Sequence, residues 1–334
     1  MVGIKDVARE AGVSIGTVSN VVNRPHVVSA ATRTRVLSVI ERLGYVRDES
    51  ARQLRAGRSR IMALLVLDLG NPFFVDLARG AEEAAHDEGL NVITCNSGQR
   101  VDLEASYLSM LAEQRVRGVL LSPVDTTGEA LGTFRRRSIP YVLVDRKVPA
   151  ADASSVSVDD VAGGALAAGH LLEAGHRHVA FVNGPHVLEQ CRDREQGVRS
   201  ALDGSGARLS VLETSALDVA SGRDAGARLL GMSPRPTAVF CANDLLALGV
   251  LQAMVSAGAR VPDEMAIVGY DDIEFAAAAA VPLTSVRQPA KRLGRTAAEL
   301  LIAETKGDGE QVEHRQVVFT PELVVRDSTR HHVR

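Results

Sequence analysis

Residues 12–16, Gly12-Val13-Ser14-Ile15-Gly16, spell the GxSxG string that elsewhere carries a hydrolase nucleophile. That chemistry needs a strand ahead of the serine, so that a strained turn lifts the hydroxyl out of a sheet. Here Ile4, Val7, Ala8 and Ala11 run ahead of it at helical spacing, and the match is accidental. Other chemistry fails on similar grounds. No GxGxxG or GxxxxGK[ST] loop is present to cradle phosphates. Cys95, Cys191 and Cys241 are odd in number and far apart, and read as small buried apolar residues. His176 and His178 flank Arg177 in what reads as a solvated turn. No nucleophile–base set and no metal cluster emerges, so the sequence argues against an enzyme and calls for no cofactor.

Around Ser14 the residue types suit a different task. Ile15, Val18 and Val22 share one spacing, and with Val18 and Val22 inward, Ile15, Gly16 and Asn20 lie on the free face of a second helix. Such a helix fits the major groove of DNA. An asparagine there can pair bidentately with adenine, an isoleucine can touch a thymine methyl, and a glycine permits close approach. Ser14, Thr17, Ser19, Asn23 and Tyr45 offer hydroxyl and amide groups suited to phosphate oxygens, with capping as the alternative for Ser14. Gly12 as a left-handed helix end, followed closely by Ser14 as an N-cap, makes the tight joint of a helix-turn-helix. A third set, Val36, Val39, Ile40 and Leu43, completes an all-α head.

Charge is distributed to match. Over the 334 residues the net charge is −3, yet residues 1–60 hold eleven Lys and Arg against five acids, a net of +6, which leaves −9 for the rest. A basic head on an acidic body is expected when one part meets a polyanion. The N-terminus shows no apolar secretory core and no run of about 18 apolar residues could cross a membrane, so a cytoplasmic protein is expected.

From residue 61 the pattern changes to short β-branched runs alternating with amphipathic stretches. Strands are predicted at 61–67, 90–95, 118–122, 141–144, 155–158, 178–183, 209–213, 237–241, 266–269, 284–286 and 317–319. Helices are predicted at 73–88, 103–115, 159–174, 192–203, 221–231, 243–257 and 290–304. Strand–helix alternation implies parallel sheets covered on both faces, and eleven strands suit two sheets better than one. The predicted class is α/β: a helical head, then a two-lobed, doubly wound effector domain whose cleft lies at the strand ends. The predicted boundaries are 1–47 for the head, 48–59 for a linker and 60–330 for an effector-binding and dimerisation domain. Within it, 60–158 and 288–318 form one lobe and 159–287 and 319–330 the other, the chain turning back after Pro282.

Ordered strings along nearly the whole chain carry a resemblance: IKDVAREAGVS at 4–14, TVSNVVN at 17–23, RVLSVIERLGY at 35–45, SARQLRAGRS at 50–59, NPFF at 71–74, SVSVDDVAGG at 155–164, RPTAVFCANDLLALG at 235–249, VPDEMAIVGYDD at 261–272 and PLTSVRQP at 282–289. In them the chain resembles the LacI/GalR family of bacterial repressors. The resemblance implies base reading by Ile15, Gly16 and Asn20, and a fold like that of periplasmic binding proteins in the body. It also implies that the linker folds on DNA and wedges the minor groove with Leu54, beside Ala51 and Arg55. Gln53 stands where many relatives have serine, which leaves the wedge intact.

For the effector the resemblance points to Arg194, followed three residues later by Gly197, with Asn243 and Asp244 at a helix start and Asp271 in the GYDD string. Asn71 caps a helix that places Phe73 and Phe74 toward the cleft, although two adjacent phenylalanines also suit a core. Arg192 is a second arginine candidate, with a surface salt bridge as its alternative, and Asp145 and Arg146 stand at a strand end. Arginine with Asp and Asn groups suits a polyhydroxylated ligand. A homodimer on a pseudopalindromic operator is expected, with a sugar inducer favoured as the effector; the sequence leaves open whether the ligand releases the protein or tightens it as a corepressor would. A solute-binding protein feeding a transporter would share the body but would need secretion, and has no use for a basic head.

Overall fold

In a computed structural model of the chain, residues 2–45, 59–124, 129–136, 139–147, 153–306 and 313–330 are described. They fall into two compact units, 1–59 and 60–334. Ala51, Leu54 and Arg55 lie outside the described residues.

The first unit is three helices whose ends are written into the sequence. Helix α1, Ile4–Ala11, begins with the Gly3 amide donating to Asp6 Oδ2 at 3.0 Å and ends at Gly12 with φ 63°. Helix α2, Ile15–Asn23, is capped by Ser14, whose Oγ accepts from the Thr17 amide at 3.1 Å. After a 3-10 turn at Pro25–Val27, Ser29 caps α3, Ala30–Leu43, which ends at Gly44 with φ 60°. Val7, Ala8, Ala11, Val18, Val21, Val36 and Val39 form its core. Val21, not Val22, points inward, and Ile15 is 45% exposed. In α2 the core side is set by Val18 and Val21, three residues apart, which leaves Val22 at its rim.

The second unit alternates strand and helix as expected. Its first half runs β1 Ile61–Val66, α4 Pro72–Asp87, β2 Asn91–Asn96, α5 Val101–Glu113, β3 Val119–Leu121, α6 Glu129–Arg136, β4 Tyr141–Val144 and β5 Ser154–Val158. Its second half runs α7 Asp160–Glu173, β6 His178–Asn183, α8 Glu189–Leu202, β7 Arg208–Glu213, α9 Val219–Leu230, β8 Ala238–Cys241, α10 Asp244–Ser256, β9 Ala266–Asp271, α11 Glu274–Ala277 and β10 Thr284–Arg287. Then come α12 Ala290–Lys306, β11 Gln316–Phe319 and β12 Glu322–Val324.

Two six-stranded sheets result among the described residues, β11-β5-β4-β3-β1-β2 and β12-β10-β9-β8-β6-β7. Their pairings are parallel except that of β10 with β12. The central strands are buried on both faces, which is why they read as continuous apolar runs rather than alternating ones. The chain passes between sheets after β5, after β10 and after β11. The passage back to the first sheet follows Arg287 rather than Pro282 itself, and Phe319 still pairs with Val158 in the first sheet, one residue beyond the predicted 318. Three elements went unpredicted: α6, α11 and β12. Each is short, and β12 has only three residues in which to show a period. Helix α8 starts at Glu189, three residues before the predicted 192, and that turn bears on the cleft.

Candidate functional site

Of the head residues singled out, Ile15, Gly16 and Asn20 are all exposed on α2. The flanking polar groups are tied into the helix itself. Ser14 Oγ lies 2.9 Å from Thr17 Oγ1, and Asn23 Nδ2 donates to Ser19 O at 2.8 Å and to Ser19 Oγ at 3.1 Å. Each hydroxyl still has lone pairs or a proton for a phosphate oxygen. Tyr45 is half-buried against the head core, so its ring anchors the end of α3. Arg42 pairs with Glu10 at 2.8 Å and Arg9 with Asp6, both exposed pairs of little energetic weight.

In the second unit, a pocket lies between the sheets at the carboxyl ends of their strands. From the first lobe it is lined by Leu67, Asp68, Asn71, Phe73, Phe74, Gln99 and Asp145, and from the second by Leu188, Gln190, Arg194, Leu217, Asn243 and Asp271. Gln288 adds a side chain from the crossing after β10. The space left between them is about 30 Å³, room for about one water. Ligand pockets are typically ~300–1,000 Å³, so a ligand enters only as the lobes part or the side chains exchange partners.

Asn71 does two jobs. Its Oδ1 caps α4 by accepting from the Phe73 amide at 3.0 Å, and its Nδ2 reaches across to Asp271 Oδ2 at 2.9 Å. Asp271 Oδ1 accepts from Gln288 Nε2 at 2.7 Å. Arg146 makes a second bridge, donating to Gln190 Oε1 of the other lobe and to Pro123 O at 3.1 Å. Phe73 and Phe74 meet edge-to-face at 5.0 Å and are 3% and 6% exposed, so each serves the core as much as the cleft.

Arg194 is 3% exposed. It donates from Nε to Asp160 Oδ1 at 2.8 Å and from Nη1 to Ala242 O at 2.6 Å, and its guanidinium sits 3.7 Å over the Tyr270 ring. Burial works against its charge, yet the field of Asp160, with Tyr270, Asp271 and Asp145 behind it, holds its pKa well above the ordinary arginine value. Local sequence explains how the pair forms. A Cβ at Gly164 would lie 2.2 Å from Arg194 O, and one at Gly197 would lie 2.0 Å from Val161 O. Only paired glycines let α7 and α8 approach this closely, which brings Asp160 at the head of one helix against Arg194 on the other.

Two expected residues are elsewhere. Arg192 is exposed on the far side of α8 and donates to the carbonyls of His186 and Val187. Two residues from both Gln190 and Arg194, it falls on the opposite helix face. Asp244 is fully buried beneath the cleft, accepting from the Ile273 amide at 2.9 Å and from Ser285 Oγ at 2.7 Å. It lies against Gly269, where a Cβ would be 2.0 Å from Asp244 Oδ1. Burial, then Asp271, push its carboxyl well above the usual range. Asp244 thus fastens β9 and β10 to α10. Its neighbour Asn243 lines the cleft, but its amide is spent capping α10 at 2.9 Å and bonding Leu217 O at 3.0 Å.

Gln190, Asp160, Asp68, Gln99 and Gln288 escaped the sequence reading. Gln190 carried a usable signal, standing four residues before Arg194 on one helix face, and Asp160 carried another as the first residue of α7.

Comparison with known proteins agrees with both units. Residues 3–48 match the profile of bacterial regulatory proteins of the lacI family, and residues 168–329 that of a periplasmic binding protein-like domain. The HTH-type transcriptional repressor PurR of Photobacterium profundum is 34% identical, the alignment covering 99% of each chain. The transcriptional regulator CelR in complex with cellobiose superposes with a TM-score of 0.74 at 34% identity, over 98% of this chain and 100% of that one. The lac repressor dimer bound to operator and the anti-inducer ONPF superposes with a TM-score of 0.83 at 27% identity, over 98% and 99%. With a described helix-turn-helix head and a doubly wound, two-sheet body, the chain belongs to the lacI family of bacterial regulatory proteins and is a DNA-binding transcriptional repressor, not an enzyme.

Proposed function

We propose that this repressor is a homodimer that binds a pseudopalindromic operator and is released from it by a small sugar held between the lobes, so that it governs carbohydrate-utilisation genes. The observation that carries the sugar is the chemistry of the lining. Carboxyl groups of Asp68, Asp145 and Asp271 stand in the lining with the amides of Asn71, Gln99, Gln190 and Gln288 and the guanidinium of Arg194, against one pair of aromatic rings. Many directional donors and acceptors around a small volume suit several hydroxyls. The other wall offers Leu188 and Leu217, not a second aromatic face for a flat heterocycle. The likeness to the CelR–cellobiose complex points the same way.

In this reading the functional division is 1–47 for reading DNA, 48–59 for a linker that wedges the minor groove through Leu54, with Ala51 and Arg55 beside it, and 60–330 for effector binding and dimerisation. Ile15, Gly16 and Asn20 meet bases, while Ser14, Thr17, Ser19, Asn23 and Tyr45 meet backbone. Asn71, Phe73, Phe74, Asp145, Arg194 and Asp271 meet the effector, with Asn243 supporting the wall. Exposed Val219, Val255 and Phe275 give the second lobe apolar surface for a partner copy. A cytoplasmic location follows from binding DNA, and among the described residues no helix is long and apolar enough to cross a membrane.

The test is selection from a library of short duplexes at fixed salt, repeated with a panel of mono- and disaccharides that includes cellobiose, and with nucleobases as the contrasting class. A selected palindrome whose affinity drops with one sugar supports the reading. A shift produced by a nucleobase and by no sugar would replace the effector class while leaving the repressor intact.

A further inference from the structure

We infer that the interlobe cleft is a proton-linked latch, in which Asp145 takes up a proton as the lobes close around it and gives it up as they part. As a regulator of the effector site this rests on the cleft reading above; the protonation itself does not.

Asp145 directly follows β4 on the first lobe, in a left-handed backbone with φ 59°. It is 5% exposed, and its Oδ1 has no hydrogen-bond partner. The charged groups facing it come from four places: Asp160 at the start of α7, Arg194 on α8, Asp271 at the end of β9, and Arg146 on its own loop. Both guanidiniums bond elsewhere, Arg194 to Asp160 and Ala242 O, and Arg146 through its two Nη atoms to Gln190 and Pro123 O, its buried Nε being left without an acceptor. Three carboxylates against two cations leave this enclosed cluster one positive charge short. A proton is the smallest species that restores balance, and the unpartnered Oδ1 is where it can reside.

What encloses Asp145 is the bridging across the lobes, Asn71 to Asp271 at 2.9 Å and Arg146 to Gln190. Burial, then the field of Asp160, push its carboxyl up to about 7, against the pull of the two arginines. Parting the lobes restores water and removes the facing carboxylates, returning it toward the ordinary aspartate value of ~4. Between about pH 4 and pH 7 the closed form therefore binds more protons than the open form, and closure is lost as pH rises through that window. With 7 for the closed form, the closed-to-open ratio falls about tenfold between pH 6 and pH 8. Growth conditions that acidify the cell interior would bias the same equilibrium that the effector biases.

The experiment uses the full chain without ligand. Glu82→Cys on the first lobe and Asp224→Cys on the second carry spin labels; both positions are exposed, and the native Cys95, Cys191 and Cys241 are buried. The distance distribution, measured from pH 5 to pH 8.5 with labelled chains diluted in unlabelled ones, should shift from short to long as pH rises. Asp145→Asn, which keeps the shape of the neutral acid, should stay short throughout. A distribution indifferent to pH in the native sequence, or an Asp145→Asn chain that shifts as the native one does, would overturn the latch. Carbon-13 spectra of aspartate-labelled native chain read the group itself, its signal assigned as the one missing from Asp145→Asn and so told apart from that of Asp244, whose carboxyl burial also raises: the Asp145 carboxyl should titrate near neutrality, and its titration below pH 5 would also overturn the latch. Neither reading involves sugar, so the latch can survive failure of the sugar assignment, and the reverse.

Discussion

The head keeps its charges and amides at the surface, while the effector unit encloses some of its own. In the head, Asn20, Arg42 and Glu10 all face water, and the core is built from valine and alanine. In the effector unit, Asp145, Arg146, Asp160, Arg194, Asp244 and Asp271 are all buried. A surface that must match a polyanion benefits from mobile, hydrated groups whose counterions can leave. A cleft that must discriminate among small polar ligands benefits from groups fixed and dried in advance, because unpaired donors and acceptors there penalise the wrong ligand. The cost is strain and buried charge. Asp145, Asp271 and Asp272 all hold positive φ, and all lie at or just past strand ends bordering the cleft.

Substitutions on the two sides should therefore differ in kind as well as size. The largest effect expected is from Asp160→Ala, which leaves Arg194 buried without its 2.8 Å partner. Loss of one member of a buried pair costs about 3–5 kcal/mol, measured by urea unfolding of the full chain. A loss under about 1 kcal/mol, the scale of an exposed pair, would mean that Ala242 O and the Tyr270 ring suffice to hold the guanidinium. Next, Gly197→Ala drives a Cβ into Val161 O and parts α7 from α8. Overpacking of this kind costs about 1–3 kcal/mol, and affinity for the cleft's ligand should fall with it because Arg194 moves.

On the head, Asn20→Ala should cost about 1–3 kcal/mol of discrimination at one base pair per half-site while leaving unfolding by urea unchanged. Equal weakening on every duplex would assign Asn20 to the backbone instead. The smallest effect is Ser14→Ala, about 1 kcal/mol of head stability from the lost cap, read by circular dichroism.

Most of the fold was legible because its signals are local. Gly12, Ser14 and Gly44 sit where helix ends demand them, and the buried strands of the body stand out as apolar runs between amphipathic helices. The short elements α6 and β12 are stabilised by the neighbours they reach, which leaves little pattern in the segment itself. The cleft was legible in part. Asn71, Arg194 and Asp271 come together as the motifs suggested, whereas Asp244, adjacent to a cleft-lining asparagine, turns down beneath β9, and Arg192 fails by helical phase. Gln288 lies within the PLTSVRQP string, where nothing marks it out, and Gln190 is marked only by its spacing from Arg194; their role exists because the crossing after β10 and α8 bring them to Asp271 and Arg146.

The central claim is that one free energy couples the cleft to the head. Operator affinity measured with and without a saturating amount of the ligand that the panel selects, and that ligand's affinity measured with and without the selected operator, should change by the same factor, on the order of 5–150-fold. Binding of that ligand in the cleft with operator affinity unchanged would contradict the account, since a ligand indifferent to the two states shifts neither.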